Sequence, residues 1–276
     1  MSNITAADVN NLRKQTGAGM MDCKSALVEA NGDFEKAIDI LRKKGQKVAA
    51  KRGDRDANEG LVLAKSVDGK NGFMIVLNCE TDFVAKNEDF GNFANTILNI
   101  AIEKKPSSLE ELKSLNYNGG SITIADKIIE EVGKIGEKID LSAYEKVEAS
   151  KVVAYNHPGN KLASMVGFNS ESASEEMGKE VAMQVAAMNP VSIDKDDVSK
   201  DIIEREIEIG KEQAKLDGKP EAMLEKIALG KLNKFYQENT LMNQQFIKDS
   251  KKTVAQHIQS ADKGLKVTAF KRIALG

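Results

Sequence analysis

Ten consecutive residues, Asn78-Cys79-Glu80-Thr81-Asp82-Phe83-Val84-Ala85-Lys86-Asn87, bring together a thiol, two carboxylates, a hydroxyl and an aromatic ring. A thiol beside carboxylates suggests covalent chemistry, but that chemistry needs a base or a cation to hold the thiolate. No histidine is near in sequence to serve as that base: the two are His157 and His257, and Cys79 follows an apolar run, Phe73-Met74-Ile75-Val76-Leu77. Cys79 therefore reads as a small buried hydrophobe. The two cysteines, Cys23 and Cys79, have no CxxC spacing, and the histidines are too far apart for a local metal motif. No nucleophile elbow, phosphate-cradling glycine loop or metal-binding pair occurs. The expectation is no catalytic residue, no metal, no cofactor and no covalent chemistry. What Asp82 and Phe83 can supply is recognition, one charge and one ring offered to another molecule.

An internal repeat singles out the same residues. The strand Phe73 to Leu77 leads through Asn78 to a helical pattern opening near Phe90-Gly91, and Met165 to Phe168 leads through Asn169-Ser170-Glu171-Ser172 to one opening near Met177-Gly178. Asn78 to Phe90 is 12 positions and Asn169 to Met177 is 8, so the first copy carries four extra residues in or beside Asp82-Phe83-Val84-Ala85. An aromatic loop present in only one copy reads as a tool. Glu80 and Glu171 occupy equivalent places in both copies, which favours a shared structural job.

The elements that must position this loop follow from periodicity. Residues 1–46 read as three helices, with Thr5 and Asp33 as caps, Gly17-Ala18-Gly19 and Asn31-Gly32 as breaks, and Gly45 as the end of the third. A bundle this small buries little apolar surface and is built to bind something. Residues 47–58 form a polar tether. Residues 59–140 are a first core subdomain, with a hairpin turning at Asp68-Gly69, a helix over 89–103, a second over 124–135 and a strand from about 138. Residues 141–192 and 240–276 form a related second subdomain, with a hairpin turning at His157-Pro158-Gly159-Asn160 and a helix over 174–188. Inserted between its parts, residues 193–239 read as an antiparallel helical hairpin, with Ile202, Ile209 and Leu216 at heptad spacing facing Met223, Leu224, Ile227 and Leu232. Its seam could pack on the body or on a second copy, giving a homodimer. The fold class is α+β, a three-helix bundle followed by two related α+β subdomains with antiparallel sheets and a protruding helical hairpin.

Bulk properties narrow the setting. The 276 residues (30.0 kDa) carry 40 basic and 42 acidic side chains, a net charge of −2, which argues against broad nucleic-acid binding. The basic cluster Arg42, Lys43, Lys44, Lys47, Lys51, Arg52 and Arg55 is the local exception, and it suits a solvated helix end. No secretory signal and no membrane-length apolar run is evident, so a reducing compartment, the bacterial cytoplasm, is expected.

Two stretches, Gly17-Ala18-Gly19-Met20-Met21-Asp22-Cys23-Lys24-Ser25-Ala26-Leu27 and Thr81-Asp82-Phe83-Val84-Ala85-Lys86-Asn87, closely resemble the two signature motifs of the bacterial elongation factor Ts family, and the likeness covers nearly the whole chain. The resemblance implies a guanine nucleotide exchange factor that promotes GDP release from the GTPase elongation factor Tu during translation. It implies that Phe83 intrudes near the partner's magnesium site, flanked by Thr81, Asp82 and Val84. It further implies that Arg13, Met20 and Met21 dock on the partner's G domain and that His157 touches another of its domains. Some members extend past the last strand into a segment that also touches the partner; this sequence stops at Gly276, and that contribution must come from elsewhere or be absent. The bundle is also similar to ubiquitin-associated domains, and with the basic linker this leaves a ribosome- or RNA-associated adaptor as the alternative. By residue type alone, Phe83 suits a core site at a helix start, Asp82 an N-cap, and one of Met20 and Met21 the bundle core.

Overall fold

The structure, a computed structural model, describes residues 4–276. The chain divides into two compact units. One holds residues up to Leu63 with Met74–Tyr144 and Ala274–Gly276, and the other holds Ala64–Phe73 and Glu145–Ile273.

The first unit opens with α1 (Ala6–Thr16), α2 (Met20–Glu29) and α3 (Phe34–Arg52). Thr5 and Asp8 form a reciprocal capping box at α1, and Asp33 caps α3 through the Lys36 amide. Val9, Leu12, Cys23, Ala26, Leu27 and Ala37 make a core wholly internal to these helices. The third helix does not stop at Gly45. It continues to Arg52, so the stretch expected to be a tether is helical over its first half. Residues 46–51, Gln-Lys-Val-Ala-Ala-Lys, are mostly good helix formers, and Gly45 is buried against a neighbouring helix.

Next come β1 (Glu59–Val67) and β2 (Asn71–Cys79), joined at Asp68 and Gly69, whose φ values of 55° and 71° are the left-handed pair that a tight hairpin turn demands. The β3 strand (Ile139–Glu148) lies beside β2, giving the order β1-β2-β3. Between β2 and β3 run α4 (Asp82–Ala85), α5 (Glu88–Lys104), α6 (Leu109–Ser114) and α7 (Ile124–Ile135). The one-turn α4 occupies the four residues by which the two sequence repeats differ.

In the second unit, β4 (Lys151–Asn156) pairs antiparallel with β5 (Leu162–Phe168), and β8 (Val267–Ala274) completes the sheet β4-β5-β8. The helix α8 (Glu175–Met188) packs Val181, Ala182 and Val185 into a core with Val166, Phe168, Leu241, Val254, Ile258 and Val267. A small ladder, β6 (Gln245–Phe246) with β7 (Asp249–Thr253), was not separable in sequence; the short α11 (Val254–Gln259) follows it, capped by Thr253. The hairpin helices α9 (Lys200–Leu216) and α10 (Glu221–Asn239) touch through small residues: a Cβ on Gly210 would sit 3.0 Å from the Ala228 Cα. Ala214, Leu224 and Leu232 complete the seam. Leu216 is 86% exposed and Met223 faces solvent, so the heptad reading fails at the turn, where small residues set the spacing instead.

Candidate functional site

The loop carrying Phe83 is shaped by two caps set six residues apart. Thr81 Oγ1 accepts from the Val84 amide and starts α4, while Asn87 Oδ1 accepts from the Asp89 amide at 2.8 Å and starts α5. Only one turn fits between them. On that turn Ala85 is buried; Phe83, two positions earlier and about 200° around the helix, must face away. Phe83 is 83% exposed. A phenyl ring left in water forfeits the burial that normally stabilises it, so the outward placement overrides the core preference of its residue type.

The loop is rigid where it meets the body. Glu137, just before β3, accepts from the Thr81 amide (3.0 Å) and from the Thr81 hydroxyl (2.7 Å) through its two oxygens. Glu80 accepts two hydrogen bonds from Arg52 Nη1 (2.8 and 2.9 Å) and one from the Lys138 amide (2.6 Å). The Lys138 amide, and then Arg52, hold the Glu80 carboxyl below its ordinary pKa against the opposing pull of burial. Cys79 lies fully buried beneath, its thiol pushed up to about 12 by burial and by the Glu137 and Glu59 carboxylates. Burial and those carboxylates disfavour the thiolate form.

Asp82 does not cap the helix, since Thr81 does; Asp82 instead pairs with Lys86 at 2.6 Å, one turn on. Glu80 and Glu171 do not share a job either. Glu80 is clamped as described, whereas Glu171 makes a surface pair with Lys70 at 2.7 Å.

In the bundle, Gly17 (φ 68°) turns the chain from α1 into α2, and Gly19 precedes Met20 and Met21 at the head of α2. Both methionines are exposed, Met20 by 53% and Met21 by 72%. Neither belongs to the bundle core, where Cys23, Ala26 and Leu27 take the inward positions. Arg13 is exposed on α1, and its carbonyl accepts from the Gly17 amide at 2.7 Å. Arg13, Met20, Met21 and Thr81–Val84 thus belong to one unit and His157 to the other. His157 sits exposed in the β4–β5 turn, its Nδ1 2.9 Å from the Tyr155 hydroxyl.

Glu137, Arg52 and Lys138 were invisible in sequence as parts of this site. Glu137 lies 56 positions from the Thr81 it holds, and its one local signal was Gly136, the break after α7. Replacing Glu137 with alanine should leave the Thr81 donors without their acceptor, weakening the loop's anchorage by about 1–3 kcal/mol. Faster hydrogen exchange confined to the amides of residues 81–85 is the expected result; unchanged protection would show the carboxylate to be dispensable.

Among the described residues there is no cluster of three or more His, Cys, Asp or Glu side chains able to hold a metal, and no helix long and apolar enough to cross a membrane.

The family model described as Elongation factor TS matches residues 80–276. Proteins named elongation factor Ts from Cytophaga hutchinsonii, Amoebophilus asiaticus and Christiangramia forsetii are 54%, 53% and 53% identical to this chain. The alignments cover 100%, 99% and 100% of this chain, and the same shares of those relatives.

Proposed function

The chain belongs to the elongation factor Ts family and is a translation elongation factor, and from that premise we propose that it releases GDP from elongation factor Tu by presenting Phe83 to the GTPase near its magnesium and nucleotide site. The observation that carries this reading is a phenyl ring 83% exposed on a one-turn helix whose cap is held at two points by Glu137.

Exchange of this kind is a coupling problem. A factor that binds the nucleotide-free GTPase more tightly than the loaded one must, by linkage, weaken nucleotide to the same degree. The factor performs no covalent step. Phe83 enters a slot that opens when the segments holding the magnesium shift, and with the cation loosened the phosphate charges lose their compensation. Thr81 and Val84 frame the ring, and Asp82 stands beside it as the polar contact. Arg13, Met20 and Met21 grip the G domain and set the register of the loop. His157 supplies a contact to a different domain of the partner. Thioethers suit such a grip because they adapt to an irregular surface.

The test is stopped-flow release of a fluorescent GDP analogue from purified elongation factor Tu. Release should speed up with added chain and saturate; a rate that stays spontaneous at every concentration overturns the reading. Within that assay, Met20→Ala with Met21→Ala should raise the half-saturating concentration roughly 10- to 100-fold, about 1.4–2.8 kcal/mol for the two anchors together. The plateau rate should change far less. An unaltered half-saturating concentration would remove the methionines from the interface.

A further inference from the structure

We infer that α3 is a rigid strut that fixes the spacing between the bundle's docking face and the Phe83 loop, and that Gly45, Gly133 and the Arg52–Glu80 pair are positioning residues for exchange. This rests on the exchange reading above and adds to it the part that makes two separate contacts act as one.

The helix runs unbroken for 19 residues, about 28 Å at 1.5 Å per residue. Its first half supplies Ala37 to the bundle core, with Ile38 and Leu41 packed against it. Its middle crosses α7 at a contact between two glycines: a Cβ on Gly133 would fall 2.7 Å from the Gly45 Cα, and one on Gly45 would fall 3.2 Å from the Ile129 carbonyl oxygen. A glycine inside a helix costs about 1 kcal/mol relative to alanine, so two facing each other indicate that the close approach is what the positions are for. Beside the crossing, Arg42 Nε donates to Glu130 at 3.0 Å. Its last residue, Arg52, grips Glu80, the residue directly before Thr81. Directly after the crossing glycine, Lys134 of α7 lays its alkyl chain against Gly17, at the turn that leads into Met20 and Met21. One helix pairing therefore reaches both surfaces assigned to the partner, the methionine turn from the crossing and the Phe83 loop from the end of α3.

The crossing is a tight point in an otherwise open interface. A cavity of about 390 Å³ lies beside it, lined among others by Leu41, Gly45, Tyr117 and Gly133. Since the bundle core contains only bundle residues, the bundle keeps its own packing when the crossing is forced apart. The mechanical consequence is specific. With the strut intact, docking the bundle delivers the loop to its slot at high effective concentration; with it loosened, the bundle docks while the loop wanders.

The experiment uses the full chain with elongation factor Tu·GDP, the factor in excess. Under that condition the plateau release rate is independent of how much of the factor is active, whereas a misfolded fraction raises the apparent half-saturating concentration. Gly133→Val should lower the plateau roughly 10- to 100-fold with the half-saturating concentration nearly unchanged. Arg52→Met, which leaves the crossing alone, should do the same to a smaller degree, with Arg52→Lys recovering part of the loss. Spin labels at Lys24→Cys and Asn92→Cys, both exposed positions, should report one narrow distance in the parent and a broadened one in Gly133→Val. The native Cys23 and Cys79 are buried and stay unlabelled. A normal plateau in both variants, with or without a raised half-saturating concentration, overturns the strut. A parent chain that leaves GDP release at its spontaneous rate overturns the exchange reading and this inference with it.

Discussion

Replacing Phe83 with alanine is expected to cut the plateau rate of GDP release from elongation factor Tu by roughly 30- to 1000-fold, since an aromatic anchor seated in a pocket contributes on the order of 2–4 kcal/mol. The chain's own stability should not move. Phe83 is 83% exposed, so truncating it removes almost no buried contact, and surface changes of that kind stay within about 0.5 kcal/mol. This separation of effects gives the variant its diagnostic value. Binding of the GTPase should fall only in part, because Arg13, Met20 and Met21 lie on other elements and are untouched. The urea midpoint and the plateau rate should be measured on the same preparation. Exchange equal to the parent's would end the wedge idea, while a lowered midpoint would mean the ring is needed at home.

What was legible in the sequence follows from how local each signal is. The four-residue excess in one repeat located α4 because a helical turn needs about four residues and a repeat supplies its own reference. Strand and helix positions were recovered wherever turn residues and period agreed, as at Asp68-Gly69 and over Ile124–Ile135. Gly45 misled because a glycine at a helix end and a glycine at a helix crossing look alike in one dimension; only the facing Gly133, 88 positions away, tells them apart. Leu216 misled because heptad spacing assumes side chains in the seam, and this seam closes on Gly210 and Ala228. Met20 and Met21 illustrate the opposite limit. Their apolar character pointed inward, yet Cys23, Ala26 and Leu27 already fill the small core, leaving the thioethers outside. The clamp by Glu137 and Arg52 was hidden altogether, since long-range carboxylate partners leave no spacing to read.

The platform beneath the loop leads to the largest expected loss of stability, at Gly60. This residue in β1 has φ 141°, a conformation that only glycine adopts readily. A Cβ there would lie 2.2 Å from the Leu77 carbonyl oxygen and 2.7 Å from the Asn78 Cα. Both are backbone atoms of β2, so no side chain can swing aside to make room. Asn78 is pinned as well: its Nδ2 donates to the Glu59 carbonyl at 3.2 Å, and its Oδ1 accepts from the Ser142 hydroxyl. Relief therefore requires parting β1 from β2, directly upstream of Cys79, Glu80 and Thr81. Gly60→Ala should cost roughly 3–5 kcal/mol, from left-handed strain and overpacking together. With a urea slope of about 1–3 kcal/mol per molar, the midpoint should fall by more than about 1 M or the cooperative transition should vanish. Gly136→Ala is the control, because Gly136 also has a positive φ (81°) but a Cβ there meets nothing within 4 Å. It should cost about 1 kcal/mol, the conformational part alone. If the two variants lose the same amount, steric contact with β2 contributes nothing, and the seam that carries the Phe83 loop yields more easily than its geometry demands.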